Sequence, residues 1–597
     1  MEEGEVVSCL VDEKLKFIES YKAAANAATA SKVDANSNVT QKTIAGLEAE
    51  LFKPDTIHLN RALVSDKLTE MYGEDMAKAY MEDLHNHVIY THDETSLKPY
   101  CASITLYPFL LEGTKCLGGV SKAPNNLQSF CGSFVNLVYQ IASNFSGAIA
   151  TVEFLHMFDY FSRKQWGSDY LKNHGREVAQ ELQGVVYALN QPASARGDQS
   201  VFWNVSVFDR PYLEEMFGGF YYPDGTQVDV ESTMSLQKFF LSWFRFEREK
   251  ELLTFPVVTA ALLTDGKGDF VDREFMLSCV YQQSHGLSFF VYMSNRVDSL
   301  ASCCRLRNEL ADNTFSYTLG AGGVVTGSAR VITINVNRAV QTCVEIEGLI
   351  DRVHKYLMAH RAVIKDYIDA GLLPAYSQGF MSLDKQFLTV GVNGVLESFE
   401  YLSKEKYTNK DFYHVYLKDL FKKLTKHNKE ALSKYGVRFN TEFVPAENLG
   451  VKNAKWDKEA GLYVPRDCYN SYFYAVEDTD ITVIDKLKLY AHDITQYLDG
   501  GSALHLNLEQ VLSFEQYEHL YELCAKYGVP YWTTNVLCTI CNTCGYINTD
   551  TRDHCKECGS TDVDYGTRVI GYLKRISNFS EARQQEANKR FYHIHEK

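Results

Sequence analysis

Short apolar runs of β-forming residues alternate with long amphipathic helical patterns through most of this chain, and that alternation limits its fold more than any other feature. The β-rich runs include 254–263 (TFPVVTAALL), 287–293 (LSFFVYM), 330–336 (RVITINV), 387–392 (FLTVGV) and 502–508 (SALHLNL). Helical periodicity covers about 10–31, 130–165, 233–253, 337–371, 411–434 and 513–527. Strands that are apolar throughout, separated by helices, predict an α/β protein with a buried sheet. No linker interrupts the pattern before about residue 536. The simplest parse is one large α/β domain followed by a small cysteine-rich tail.

The 597 residues carry a net charge of −16, which argues against broad binding to a nucleic-acid backbone. It leaves room for a nucleotide ligand, since a phosphate site needs only a few local donors. No apolar run approaches the length of a membrane span. The first residues, MEEGEVVSCLVDEKLKF, are acidic and lack the order of a signal peptide. A cytoplasmic protein is expected. Fifteen cysteines in such a chain point to metal ligation, redox chemistry or buried thiols rather than a disulfide scaffold. The lysine-rich stretch 404–438 reads as a solvated helix surface, with a partner-docking surface as the alternative.

Cys541-x-x-Cys544 and Cys555-x-x-Cys558 are separated by ten residues. Four thiolates at this spacing suit a structural Zn2+ with no open coordination position. Gly545 and Gly559 follow the second cysteine of each pair, where a tight turn is needed. Two CxxC redox pairs are the rival reading. Acidic residues outnumber basic ones in this segment, so it is expected to hold the C-terminus in place rather than bind nucleic acid. Cys538 reads as a plain thiol, an alternative ligand or a redox group.

Downstream lies Arg568-Val-Ile-Gly571-Tyr572. A lone glycine is ordinarily a turn or a helix cap. Its position just beyond four cysteines, near the end of the chain, resembles the glycyl-radical motif of anaerobic (class III) ribonucleotide reductases. The resemblance runs from about residue 33 to the end. It is carried by VDANSNV (33–39), THDETSLKPYCASI (91–104), NQPASARGDQSVFWNVS (190–206), SCCRLRN (302–308), GSARVITIN (327–335), VPAENL (444–449), YNSYF (469–473) and LDGGSALHLNLE (498–509).

The resemblance implies a ten-stranded α/β barrel of two antiparallel five-stranded halves, with a finger loop through its centre. It implies a helical extension at 1–32, the barrel at 33–535, a zinc-binding ribbon at 536–566 and a glycyl radical loop with the tail at 567–597. Gly571 is the implied radical site, because only glycine lets a Cα radical flatten unhindered. Cys304 matches the thiyl cysteine and Cys101 the second cysteine facing the substrate. No chemistry is assigned to Cys303.

Ser328 and Asn335 flank the strand after the finger loop and are candidate substrate contacts. Ser328 stands where some formate-using members carry Asn, which leaves formate or a thioredoxin- or glutaredoxin-like redoxin open as reductant. Glu447 and the Gly500-Gly501-Ser502 turn are further candidates. Paired glycines can bring amides close to phosphate, or simply make a tight turn. His92-Asp93 either orients ligand or caps structure.

The implied substrates are ribonucleoside triphosphates, with dNTP and ATP as allosteric effectors. The implied partners are a second copy of the chain and a radical-S-adenosylmethionine activating enzyme with a 4Fe-4S cluster. Neither membrane nor nucleic-acid binding is expected. An N-terminal ATP-cone has no room ahead of residue 33, so no dATP shut-off through one is expected. Rival readings are another glycyl-radical enzyme of the pyruvate formate-lyase type, favoured by the tandem Cys303-Cys304, and a non-catalytic nucleotide-binding zinc-ribbon scaffold.

Overall fold

The computed structural model describes residues 3–593 except 32, 34–37, 40, 194–195, 197–198, 298, 303–305, 310–323, 405–409, 444–447 and 569–570. Five strands run parallel and side by side in chain order: β1 (Cys101–Ser103), β2 (Ile149–Ala150), β3 (Trp203–Phe208), β4 (Val257–Leu263) and β5 (Phe290–Ser294). Five more repeat the plan: β6 (Thr326–Asn335), β7 (Gln386–Asn393), β8 (Phe439–Glu442), β9 (Leu504–Leu508) and β10 (Tyr531–Val536). Within this half, β6, β7 and β8 are parallel, as are β9 and β10.

The halves meet antiparallel at β1/β6 and at β5/β10. The remaining gap closes where Glu442 bridges Gly501 in parallel and the Gly500 N–H donates to the Thr441 carbonyl at 2.9 Å. The result is a closed ring of ten strands in two antiparallel halves, as the resemblance implied. Closure removes the exposed edges that an open sheet would present. All ten residues of β6 are buried although five of them, Thr326, Ser328, Arg330, Thr333 and Asn335, are polar or charged, so both faces of the strand are covered.

Helices cross between the parallel strands and cover the ring, as parallel pairing requires. Three expected elements differ in detail. The pattern at 130–165 is two helices, Leu127–Ala142 and Phe154–Trp166, with β2 between them. The break falls at the turn-forming residues 143–147 (SNFSG). A Cβ on Gly147 would stand 2.9 Å from the Tyr100 carbonyl oxygen, so the chain can pass there only as glycine. The pattern at 337–371 is split into Val336–Gln341 and Ile346–Asp369, with Cys343 at φ 57° in the break. The pattern at 10–31 is the helix Glu3–Ala23 followed by the short Ala27–Ala30.

Beyond the ring, β11 (Cys538–Cys541), β12 (Ile547–Asn548), β13 (Val563–Arg568) and β14 (Leu573–Arg575) form a separate antiparallel sheet in the order β12-β11-β13-β14. The expected boundary at 566/567 falls inside β13, so the four-cysteine ribbon and the Gly571 loop share one sheet. The helix Glu581–Lys589 follows. No helix among the described residues is long and apolar enough to cross a membrane.

Candidate active site

Cys101 lies on β1 at 3% exposure, at the seam between the half-barrels. Its direct cross-strand partner on β6 is Ser328, which is fully buried. The strands approach closely because the next residue is glycine. A Cβ on Gly327 would fall 2.3 Å from the Cys101 carbonyl oxygen. That oxygen accepts from Gln386 Nε2 at 3.0 Å, and Gln386 in turn accepts from the Tyr376 hydroxyl at 2.6 Å. Ser328 Oγ is shared with Thr389 Oγ1 at 2.7 Å and reaches the Arg330 carbonyl at 3.1 Å. The register against β7 shifts between Ser328 and Arg330, a bulge of the kind that re-aims side chains beside active sites.

Gly571 joins β13 to β14. It is buried, yet apart from its own chain neighbours no atom of the described residues comes within 4 Å of a Cβ built on it. Its carbonyl accepts from Arg568 Nη1 at 2.8 Å, while Arg568 Nη2 donates to Ser288 Oγ at 2.8 Å. The guanidinium lies over the Phe290 ring, 4.7 Å from its centroid. Burial pushes its pKa down to about 10, which leaves it cationic at neutral pH. Asn535 anchors the loop from β10: its Oδ1 accepts from the Arg568 N–H at 3.0 Å, and its Nδ2 donates to Asn507 Oδ1 at 2.9 Å. The loop therefore sits where β4 and β5 begin and β10 ends.

Phe202 connects the two sites. It packs against the small cluster of Cys101 and Ala148, and its ring meets that of Tyr572 edge-on at 5.1 Å. Sequence reasoning passed over both Phe202 and Asn535. Phe202 lies within a quoted motif block, but nothing in its residue type marks it as a link.

The other candidates are dispersed. His92 Nε2 is 2.7 Å from Thr333 Oγ1, and its ring faces Tyr100, the neighbour of Cys101, at 6.4 Å. The buried Arg330 holds the chain between them by donating to the His92 and Lys98 carbonyls. Asn335 stands at the far end of β6 from Ser328, about 23 Å away at strand rise. Its side chain caps the following helix by accepting from the Arg338 N–H at 3.2 Å and donates to Asp457 at 3.1 Å. The structure does not bring it to Cys101.

The amides of Gly500 and Gly501 are both used within the fold, on Thr441 and Leu498 at 2.9 Å each. They make the tight turn that closes the ring. Among the described residues, Ser502 Oγ is buried with no hydrogen-bond partner, and so is the whole side-chain amide of Asn440 on the adjoining strand. Such groups cost free energy unless a ligand or water pairs them. Cys303, Cys304 and Glu447 lie outside the described residues. Residues 303–305 fall between two short paired strands, Ser299–Ser302 and Leu306–Glu309.

In the ribbon, the four sulfurs of Cys541, Cys544, Cys555 and Cys558 all lie within 4.8 Å of one another. Cys541–Cys558 and Cys544–Cys555 are each 3.6 Å apart. Tetrahedral Zn2+ with bonds of about 2.3 Å sets its sulfurs about 3.8 Å apart, so the donor set fits. Cys538 is outside this group. Its thiol faces the Gly566 carbonyl at 3.3 Å among Ile540 and Ile547, and burial pushes its pKa up to about 12. It is a plain buried thiol.

The family described as anaerobic ribonucleoside-triphosphate reductase matches residues 48–593. No curated protein matches the chain. Among solved structures, one named anaerobic ribonucleotide reductase superposes with a TM-score of 0.82 at 27% identity, covering 93% of this chain and 90% of its own. The anaerobic ribonucleotide reductase from Thermotoga maritima in complex with dATP and CTP gives 0.79 at 26%, with 98% of each chain covered. The same enzyme with dATP bound in the specificity site gives 0.79 at 27%, covering 97% and 98%. The match in sequence, the ten-stranded ring and the four-cysteine ribbon agree, and the chain belongs to the anaerobic ribonucleoside-triphosphate reductase family.

Proposed function

We propose that this enzyme reduces ribonucleoside triphosphates by a radical relay that starts at Gly571 and acts through Cys304 and Cys101. The observation that carries the reading is the environment of Gly571. Its residue is buried, but the direction a side chain would take is open among the described residues. A hydrogen-atom partner needs that approach, and only glycine leaves it clear.

In this reading an activating enzyme removes one hydrogen atom from the Gly571 Cα. The glycyl radical then takes the hydrogen atom of the Cys304 thiol, re-forming the Cα–H bond. The sulfur radical abstracts the 3′-hydrogen of the ribose, and the 2′-hydroxyl leaves as water. Cys101 supplies hydrogen to the resulting intermediate, two electrons from formate or a redoxin complete the reduction, and Cys304 gives its hydrogen atom back to C3′, which restores the sulfur radical and through it the glycyl radical. Tyr572 and Phe202 put Gly571 and Cys101 on opposite sides of one aromatic contact, which supports a shared chamber.

Chain length permits the finger loop to reach. β5 ends and β6 begins at the end of the ring opposite Gly571. Ten residues separate Ser294 from Cys304, about 33 Å when extended, against about 17 Å for the five-residue β5.

Zinc held by Cys541, Cys544, Cys555 and Cys558 would fix the ribbon to which the Gly571 loop belongs and supply no catalytic chemistry. The same reading includes a cytoplasmic homodimer with dNTP and ATP effectors. Phe52, Leu59 and Leu63 support a second copy: they are 60%, 56% and 38% exposed at helical spacing on the helix Ile44–Tyr72. Nucleotide effectors are supported by the dATP complexes of the Thermotoga maritima enzyme.

The decisive experiment is anaerobic activation by a cognate activating enzyme, followed by EPR and product analysis. A glycine-centred doublet missing from Gly571→Ala, together with dNTP formed from NTP, is the expected result. No doublet despite a competent activating enzyme overturns the reading.

A further inference from the structure

We infer that the C-terminal tail is a latch on the Gly571 loop, with Arg590 as its positioning residue. The inference rests on the radical reading of Gly571 above. Arg590 Nη1 donates to the Arg568 carbonyl at 2.7 Å, and Arg568 Nη1 donates to the Gly571 carbonyl at 2.8 Å. Two successive charge-assisted hydrogen bonds thus connect the tail to the glycine.

Arg590 is itself held from behind. Its Nε and Nη2 grip both oxygens of Glu586 at 2.9 Å, and Arg583 Nη1 reaches Glu586 Oε2 at 3.0 Å. Arg583, Glu586 and Arg590 are 3%, 8% and 6% exposed. Three buried charges add little net stability, because desolvation offsets their attraction. What such a cluster does well is fix one arrangement and exclude others.

The residues after Arg590 extend the grip. The Phe591 N–H donates to the Val476 carbonyl at 2.7 Å, and the His593 N–H donates to that of Asn507 at 3.0 Å. The Tyr592 hydroxyl is 3.1 Å from Thr567 Oγ1. The tail therefore holds Thr567 and Arg568, the last two residues of β13. On the other flank of the loop, Leu573 borders a cavity of about 60 Å³ lined also by Arg248, Ser288, Asn535 and Cys538. On that flank Leu573 is held by pairing with Arg568 and by the Thr254 hydroxyl, which donates to its carbonyl at 3.2 Å.

Gly571 is buried, so a second protein cannot touch its Cα while the loop is docked. Activation then draws on the fraction of chains in which the loop is out, and so does loss of the radical to solvent. A change that weakens the latch raises both rates by the same factor. A residue that merely supports the fold would lower the radical yield without speeding its formation.

The test follows growth and decay of the glycine doublet by EPR in full-length protein, using a radical-S-adenosylmethionine activating enzyme. Arg590→Met is expected to speed both about tenfold, the effect of losing one charge-assisted hydrogen bond. Arg590→Lys, which keeps a charged donor, is expected to lie near wild type. If Arg590→Met does not fold by circular dichroism, Glu586→Gln carries the same expectation. A folded Arg590→Met or Glu586→Gln whose doublet forms no faster than wild type overturns the latch alone. Absence of a doublet in wild type overturns the radical reading, and the latch with it.

Discussion

Ser328 stands directly opposite Cys101 where β6 passes along the edge of β1. Directly opposed residues project to the same face with Cβ atoms about 4.5–5.5 Å apart. Among the described residues, the pair is where the first half-barrel touches the second through a candidate catalytic side chain. If Cys101 supplies hydrogen to the substrate, Cys101→Ser should keep the fold and the glycine doublet while dNTP formation falls below detection. Serine is close to isosteric, and one buried thiol-to-hydroxyl change costs about 1 kcal/mol. Thermal unfolding, EPR and product assays on one preparation check all three. Turnover near wild type would remove Cys101 from the chemistry.

Cys304→Ser is expected to behave alike in turnover and to differ in what accumulates. The radical remains on Gly571, since the hydroxyl O–H bond is too strong to pass its hydrogen to a glycyl radical. The doublet should persist when substrate is added, whereas in wild type part of the spin is drawn off during turnover. The comparison is rapid-freeze EPR with and without NTP. A Cys304→Ser protein that still makes dNTP would displace the thiyl assignment.

The ribbon and the Gly571 loop share β13, and that links zinc to the radical. Cys541 pairs with Val563 at the start of β13, and five residues further along the same strand Arg568 holds Gly571. Replacing Cys544 by Ser, or stripping zinc with a chelator, should loosen β11 and β13 together and reduce the doublet severalfold. Metal analysis and spin quantitation on the same sample check this. A full radical yield in zinc-free protein would separate the ribbon from the loop.

The parts of this architecture that were legible beforehand are the local ones. The CxxC pairs need only their own spacing to be read, and the apolar runs at 254–263 and 387–392 are strands because nothing else suits them. β1 and β2 were not legible. They have three and two residues, too few for any periodicity, and exist because β6 and β3 flank them. Asn335 shows how local reading leaves a residue's purpose open. A polar residue at the end of a strand beside a suspected site resembles a ligand contact, but tertiary structure spends its amide on a cap and on Asp457. Gly500 and Gly501 were read with the right backbone freedom and an open purpose. Arg590 gave no signal, because its importance depends on a carbonyl 22 residues away in sequence.

Glu153 supplies a pH-dependent signature independent of the radical. It follows β2, is 2% exposed, and accepts from the Thr105 hydroxyl at 3.1 Å and the Leu106 N–H at 2.5 Å. Burial nevertheless outweighs these bonds and raises its pKa from the usual 4.5 to about 8. Below about pH 4.5 the carboxyl is protonated in folded and unfolded chains alike. Between about 4.5 and 8 the folded chain keeps the proton and the unfolded chain has lost it, so the unfolded state binds fewer protons and stability falls as pH rises. The full shift corresponds to no more than about 5 kcal/mol. Glu153→Gln stays neutral throughout and keeps an oxygen for Leu106. Its unfolding temperature should therefore fall less than that of wild type between about pH 5 and 8, with the variant the more stable at the upper end. Anaerobic calorimetry across that range is the measurement, and parallel curves for the two proteins would mean that Glu153 is ionised in the folded chain.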